Sequence, residues 1–164
     1  MRYILAQGVE EGECYYFEVD QDGTAYRQVT VLGDQVLVSI APHFHLAESA
    51  VEWYEGDQEI SAESFNEVWT RAVEPYKDAW QRSKAHYAIG VQVQGIIRMF
   101  YPQGVIIQLD EESYAVANDA SLRKQTNPAH MYPGFVIEGT IGGCDEANFW
   151  LVLDLCTVVG PAES

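Results

Sequence analysis

The first forty positions are dominated by short apolar runs broken by turn residues. In Tyr16–Asp20 and Tyr26–Val31 apolar and polar side chains partly alternate, the period of a strand covered on one face. Four runs, "RYILAQGVE", "ECYYFEVD", "TAYRQVTVL" and "QVLVSIA", are rich in Tyr, Val, Ile and Phe. Turn chemistry separates them at Glu11-Gly12, Asp20-Gln21-Asp22-Gly23 and Gly33-Asp34. Asp22-Gly23 is a hairpin signal, because glycine accepts the positive φ such turns require. The pattern predicts an antiparallel meander of four strands.

An irregular acidic stretch follows, "PHFHLAESAVEWYEGDQE", and the period then changes to helical. Ser61 stands where a helix N-cap belongs, with Ile60 and Phe65 at the two positions of a hydrophobic staple. Phe65, Val68, Trp69, Ala72, Val73, Tyr76, Ala79 and Trp80 recur at helical spacing. Pro75 interrupts the stripe, so it predicts a kink or a second helix beginning there. From Tyr87 the strand pattern returns over Ile89–Phe100, Gly104–Leu109, Ser113–Asn118, Phe135–Ile141 and Phe149–Leu155, with a polar insertion at Asp119–Pro133 roomy enough for a short helix. Five strands with an insertion after the third match an OB-like barrel. The expected class is α+β. Residues 1–86 form an antiparallel β-meander with a long or kinked helix, 87–158 a five-stranded OB-like β-barrel, and 159–164 a C-terminal tail.

Charge changes what such a barrel can be for. The chain carries nine Lys+Arg against 25 Asp+Glu, a formal net charge of −16. Residues 1–87 hold six basic and 16 acidic residues, and 88–164 three and nine, so neither half is basic. Affinity for nucleic acid comes largely from cations that displace condensed counterions. A negative body opposes it and favours basic partners. Cys14, Cys144 and Cys156 make an odd count without CxxC spacing, which suits a reducing compartment. No leader pattern or long apolar run is present, so the expectation is a soluble, cytoplasmic protein without a membrane partner.

No catalytic constellation stands out. The sequence contains no GxSxG, P-loop or GxGxxG motif, and Glu13 beside Cys14 disfavours a reactive thiolate. His43 and His45 stand two apart and, if extended, share a face on which Glu48 or Glu52 could join them around a metal. A metal site needs three or four ligands and no cysteine is near, so hydrogen-bonding loop histidines are the reading taken. No metal, cofactor or enzymatic activity is expected. Trp53 and Tyr54 sit among carboxylates. Such a setting suits a protein interface, where aromatics anchor and charge steers encounter, and equally a loop aromatic that folds back onto the helix.

Two resemblances extend this reading. "GVQVQGIIRMFYPQGVIIQL", "MYPGFVIEGTI" and "CDEANFWLVLDL" resemble the RNA-binding OB repeat of ribosomal protein S-one over roughly residues 88–157. On that resemblance Phe100 and Tyr101 occupy the stacking positions, with Arg98 the nearby cation. The sequence departs from the family at Val105 and Ile106, at Asn118 in place of the expected His, and in a last strand with no Lys or Arg. The first half, through "MRY" and "EISAESFNEVW", resembles small acidic bacterial domains, some encoded beside polymorphic toxin genes. That resemblance implies an immunity protein that binds and silences a cognate toxin. The expected function is therefore a non-catalytic acidic binding protein whose partner is a cationic toxin domain. Its contacts are expected from Glu48, Glu52, Trp53, Tyr54, Glu55, Asp57 and Glu59, together with Asp110, Glu111 and Glu112. The alternative is an RNA-associated protein using Arg98, Phe100 and Tyr101.

Overall fold

The structure, a computed structural model, describes residues 1–162. The chain divides into two compact units, the first spanning Met1–Tyr76 and the second beginning at Lys77. The class is mixed α+β, with an antiparallel sheet in the first unit and a closed five-strand barrel in the second.

The expected meander is present as β1 (Arg2–Gln7), β2 (Glu13–Val19), β3 (Ala25–Leu32) and β4 (Gln35–Val38). A fifth strand, β5 (Gln58–Ile60), was not legible in the pattern. It pairs antiparallel with β1, giving the order β4-β3-β2-β1-β5. β4 and β5 hold opposite edges, so residues 39–57 must cross one face of the sheet to join them.

Register sorts the side chains between faces. Phe17 lies opposite Gln28, and Glu18 opposite Arg27. On the Phe17 face, Ile4, Phe17, Val19 and Ala25 form a small core against which Leu46, Ala47 and Val51 of the crossing segment pack. The segment is fastened by two hydrogen bonds, Ala47 N–H to Gln28 Oε1 at 2.7 Å and Val51 N–H to the Gly23 carbonyl at 2.8 Å. Gly23 has φ +84°, and a Cβ there would lie 2.8 Å from the Val51 carbonyl oxygen. Only glycine meets both demands.

Helix α1 (Ala62–Val73) covers the opposite face. Ser61 caps it, its Oγ accepting from the Ser64 amide at 3.0 Å. Phe65, Trp69 and Val73 are its buried residues, and the Phe65 ring centroid lies 5.3 Å from that of Tyr3. Arg27 is enclosed beneath it. Its Nε and Nη2 donate to the two Glu18 carboxylate oxygens at 2.9 and 2.7 Å, and Nη2 also donates to Asn66 Oδ1 at 3.0 Å. The guanidinium carbon lies 5.0 Å from the Phe65 centroid and 5.2 Å from that of Trp69. A buried charge is tolerable when it is paired and its donors are satisfied, as here.

At Pro75 the α-helix stops. Glu74–Tyr76 form a single 3₁₀ turn, and α2 (Lys77–His86) follows. The sequence division after residue 86 and the structural division after Tyr76 differ by this helix. Its buried residues are Trp80 and Ser83, and Trp80 joins the core of the barrel.

The barrel contains β6 (Gln92–Tyr101), β7 (Gly104–Gln108), β8 (Tyr114–Ala117), β9 (Phe135–Asp145) and β10 (Trp150–Pro161), with α3 (Asp119–Gln125) in the expected insertion. The strands close in the order β10-β8-β7-β6-β9. All pairs are antiparallel except β8 with β10. This arrangement is consistent with an OB barrel. Ile97, Val105, Ile107, Ile137, Leu151 and Leu153 fill the interior, and Leu122 of α3 packs among them. The last two strands outrun the expectation. β10 continues through irregular pairing with β9 between Asp154 and Thr157, so Val159–Pro161 belong to a strand, not to the expected tail. Residues 163–164 of that expected tail lie outside the described residues. Among the described residues no helix is long and apolar enough to cross a membrane.

Candidate partner-binding groove

The crossing segment and the sheet beneath it enclose an open groove of about 890 Å³ in the first unit. Its floor comes from Ala6, Tyr15 and Phe17, and one end from the β1–β2 turn at Gln7, Gly8 and Val9. β-periodicity explains the floor: Tyr15 and Phe17 are two apart on β2 and so share a face. Their rings are nearly parallel, 6° between planes and 6.0 Å between centroids. Phe17 is buried, whereas Tyr15 is half-buried and keeps part of its surface toward the groove.

The rim is acidic. Glu48, Glu52, Glu55 and Asp57 line the groove with Tyr54, and no lysine or arginine does. Sequence accounts for this, because no basic residue occurs from Gln28 to Thr70 while eight carboxylates do. The rim is internally ordered. The Tyr54 hydroxyl donates to Glu52 at 2.9 Å, and the Tyr54 amide donates to Asp57 Oδ2 at 2.9 Å. The Glu52 hydrogen bond, then its charge, hold the Tyr54 phenol above its ordinary pKa. A site with an apolar aromatic floor and carboxylates above can take a cation whose stem is apolar.

Of the residues expected from sequence, Glu48, Glu52, Tyr54, Glu55 and Asp57 are brought together here. Trp53 and Glu59 serve another contact outside the groove. Arg2 pairs with Glu59 at 2.8 Å and lies 6.0 Å from the Trp53 ring. Sequence reasoning missed the floor. Its signal was available in "CYYFE", where Tyr15 and Phe17 stand at strand spacing, but the segment above them could not be placed without β5.

Asp110, Glu111 and Glu112 lie in the second unit. Asp110 accepts from the Tyr87 hydroxyl at 2.7 Å and from the Glu112 and Ser113 amides at 3.0 and 2.8 Å. Burial opposes ionisation of Asp110, but the Tyr87 hydroxyl and the two amides outweigh it and hold the carboxyl below its usual range. Burial and then this same bond push the Tyr87 phenol up to about 12. Glu112 takes a two-pronged bond from Arg82 at 2.8 and 2.9 Å, which lowers its pKa. Asp110 and Glu112 are thus committed to holding the β7–β8 turn, and Glu111 is exposed beside them.

The residues of the RNA alternative separate. Phe100 and Arg98 are exposed on β6, and the Arg123 guanidinium lies 5.7 Å from the Phe100 ring. Tyr101 is half-buried with its ring 6.0 Å from Trp150, and burial raises its pKa. Three of the six lysines and arginines of this unit are spent within it, in Arg82–Glu112, Lys84–Glu146 and Arg123–Asp119 pairs.

His43 accepts a hydrogen bond at Nδ1 from the Val38 amide at 3.3 Å and meets the Tyr76 ring edge-on at 5.6 Å. Burial, then His45, lower its pKa. Among the described residues no group of three or more His, Cys, Asp or Glu could hold a metal ion. No protein-family model matches the chain, and no curated protein matches it.

Proposed function

We propose that this chain is a non-catalytic acidic binding protein of the immunity type, which engages a cognate cationic toxin through the groove of its first unit and blocks it. One observation carries the reading. Four carboxylates and a tyrosine of one segment converge over an aromatic floor, with no cation among the groove residues. The mechanism is steric and electrostatic. Carboxylates accelerate encounter with a basic surface, the aromatic residues supply contact area, and the bound body occludes the partner's working face.

The test is capture of the partner from the native host, followed by association kinetics against salt. Charge steering is screened within about 10 Å at 0.1 M salt. The association rate is expected to fall at least tenfold between low salt and about 0.5 M, and the captured protein to lose its toxicity in the complex. An association rate indifferent to salt, or a partner that stays active when bound, overturns the proposal.

A second reading has its own observation: Phe100, 38 % exposed, stands beside Arg98 and under Arg123 on an OB-type barrel. Base stacking on one aromatic is worth about 1–3 kcal/mol, against the repulsion of a −16 chain. Filter binding of single-stranded RNA at physiological salt decides it. Retention of RNA that is lost with Phe100→Ala favours RNA, and no retention leaves the groove reading.

A further inference from the structure

The groove is specific enough in shape and chemistry to name what it holds. We infer that it seats an arginine side chain presented by an extended segment of the protein partner, with the guanidinium on the Tyr15 ring and its N–H groups on the rim carboxylates. The inference rests on the functional reading above and adds the recognised group to it.

Three features select arginine. The first is the floor, because a flat guanidinium stacks on an aromatic face and an ammonium does so less readily. The Tyr15 and Phe17 rings are nearly parallel and both line the groove. The second is the rim, where Glu48, Glu52, Glu55 and Asp57 are carboxylates lining the same groove. A carboxylate takes the guanidinium fork through two parallel hydrogen bonds, whereas lysine offers a point charge. The third is the wall. Ala47, Ala50 and Val51 offer apolar surface for the methylene stem of a long cationic side chain.

This chain uses the same combination three times on its own arginines, one of them Arg123 over Phe100 with Asp119. Arg27 lies against Phe65 and Trp69 with Glu18 as its fork partner. Arg2 lies against Trp53 with Glu59. In the groove the aromatic residues and carboxylates are present without an arginine of the chain among them. Competing occupants are less well matched. An anion is repelled by the rim, and a purely apolar segment would leave the carboxylates desolvated and unpaired.

The test titrates the full-length isotope-labelled chain with three probes: an acetylated, amidated Val-Arg-Val peptide, its Val-Lys-Val counterpart, and spermidine. Chemical-shift changes are expected at the amides of Tyr15, Phe17 and Val51 with the arginine peptide, at an affinity five- to tenfold above the lysine peptide. Tyr15→Leu, which keeps the floor apolar, and the surface double variant Glu52→Gln with Glu55→Gln should each weaken the arginine peptide about tenfold. Equal affinity for the two peptides, tighter binding of spermidine, shifts confined to other surfaces, or indifference to both variants overturns the arginine seat. If a captured partner binds with strong salt dependence but ignores Tyr15→Leu, the arginine seat fails and the functional reading stands. If the arginine peptide binds as described but no cationic partner does, the functional reading fails and the seat stands.

Discussion

Arg27→Met tests how the first unit holds its helix to its sheet. The substitution keeps a long, unbranched side chain but removes the guanidinium between β3 and α1. Glu18, whose side chain is 12 % exposed, then loses both of its charge-assisted bonds, and Asn66 loses its donor. Breaking one side of a buried pair costs about 3–5 kcal/mol, because the surviving charge is left desolvated. Loss of the two ring contacts adds about 0.5–1 kcal/mol, partly offset by the methionine's own packing. A net loss near 3–5 kcal/mol is expected, a large share of the stability of a unit this small. Native-state hydrogen exchange reads it for the first unit alone: protection of the β2 and β3 amides should fall about 10²- to 10⁴-fold while the barrel amides are unchanged. The companion Arg27→Met, Glu18→Leu removes both charges and should recover most of that loss. A single variant that loses less than about 1 kcal/mol, or a double variant no better than the single, would falsify the view that the stranded charge is what costs.

Gly23→Ala should destabilise the first unit by about 1–2 kcal/mol and loosen the crossing segment, measured as faster proteolysis within residues 50–57; unchanged cleavage would remove Gly23 as its anchor. The Tyr87 phenol is raised from 10.0 to about 12, so its contribution is present below pH 10 and lost as pH climbs through 12. Tyr87→Phe should flatten the stability profile over that window. Asp110 has the opposite sign: its lowered carboxyl stabilises above the ordinary carboxylate range, and that stability disappears as pH falls through the depressed value. Asp110→Asn should blunt acid unfolding of the barrel, and an unaltered acid limb would show that the turn does not depend on the charge. At pH 8 a thiol reagent should modify the exposed Cys144 quickly and leave Cys156, buried and pushed up to about 11, unreacted until unfolding.

Several elements were legible because their signals are local. The meander strands carry their own alternation and their own Gly turns, and α1 announces itself through Ser61, Ile60 and Phe65. β5 was not legible: Gln58-Glu59-Ile60 has no strand pattern, and only pairing with β1, more than fifty residues earlier, makes it a strand. The end of β9 was missed because Gly142-Gly143 read as turn residues, and that of β10 because the expected strand stops at Leu155, whereas bulges carry the ladder through. The same limit governs the site. The acidic rim was visible as charge in a contiguous segment. Which carboxylates are committed elsewhere was not, because Tyr87 and Arg82 reach Asp110 and Glu112 from an earlier helix and its end. The floor beneath the rim depends on a connection between opposite sheet edges, a fact of topology and not of local pattern.

That connection divides the molecule into parts that can change at different speeds. Between β4 and β5 the segment spans about 19 Å, four interstrand spacings, and touches the sheet through Leu46, Ala47, Val51 and the Gly23 carbonyl. Three of the four positions carrying its charge, Glu48, Glu52 and Glu55, are exposed and contribute nothing to that core. Substitutions at these three sites can rewrite the pattern of partners without a stability threshold to clear, while Tyr15 and Phe17 stay fixed by the sheet they also hold together. On the proposed reading, recognition can therefore diversify by point changes at these three positions, on a scaffold that never has to refold to accommodate them.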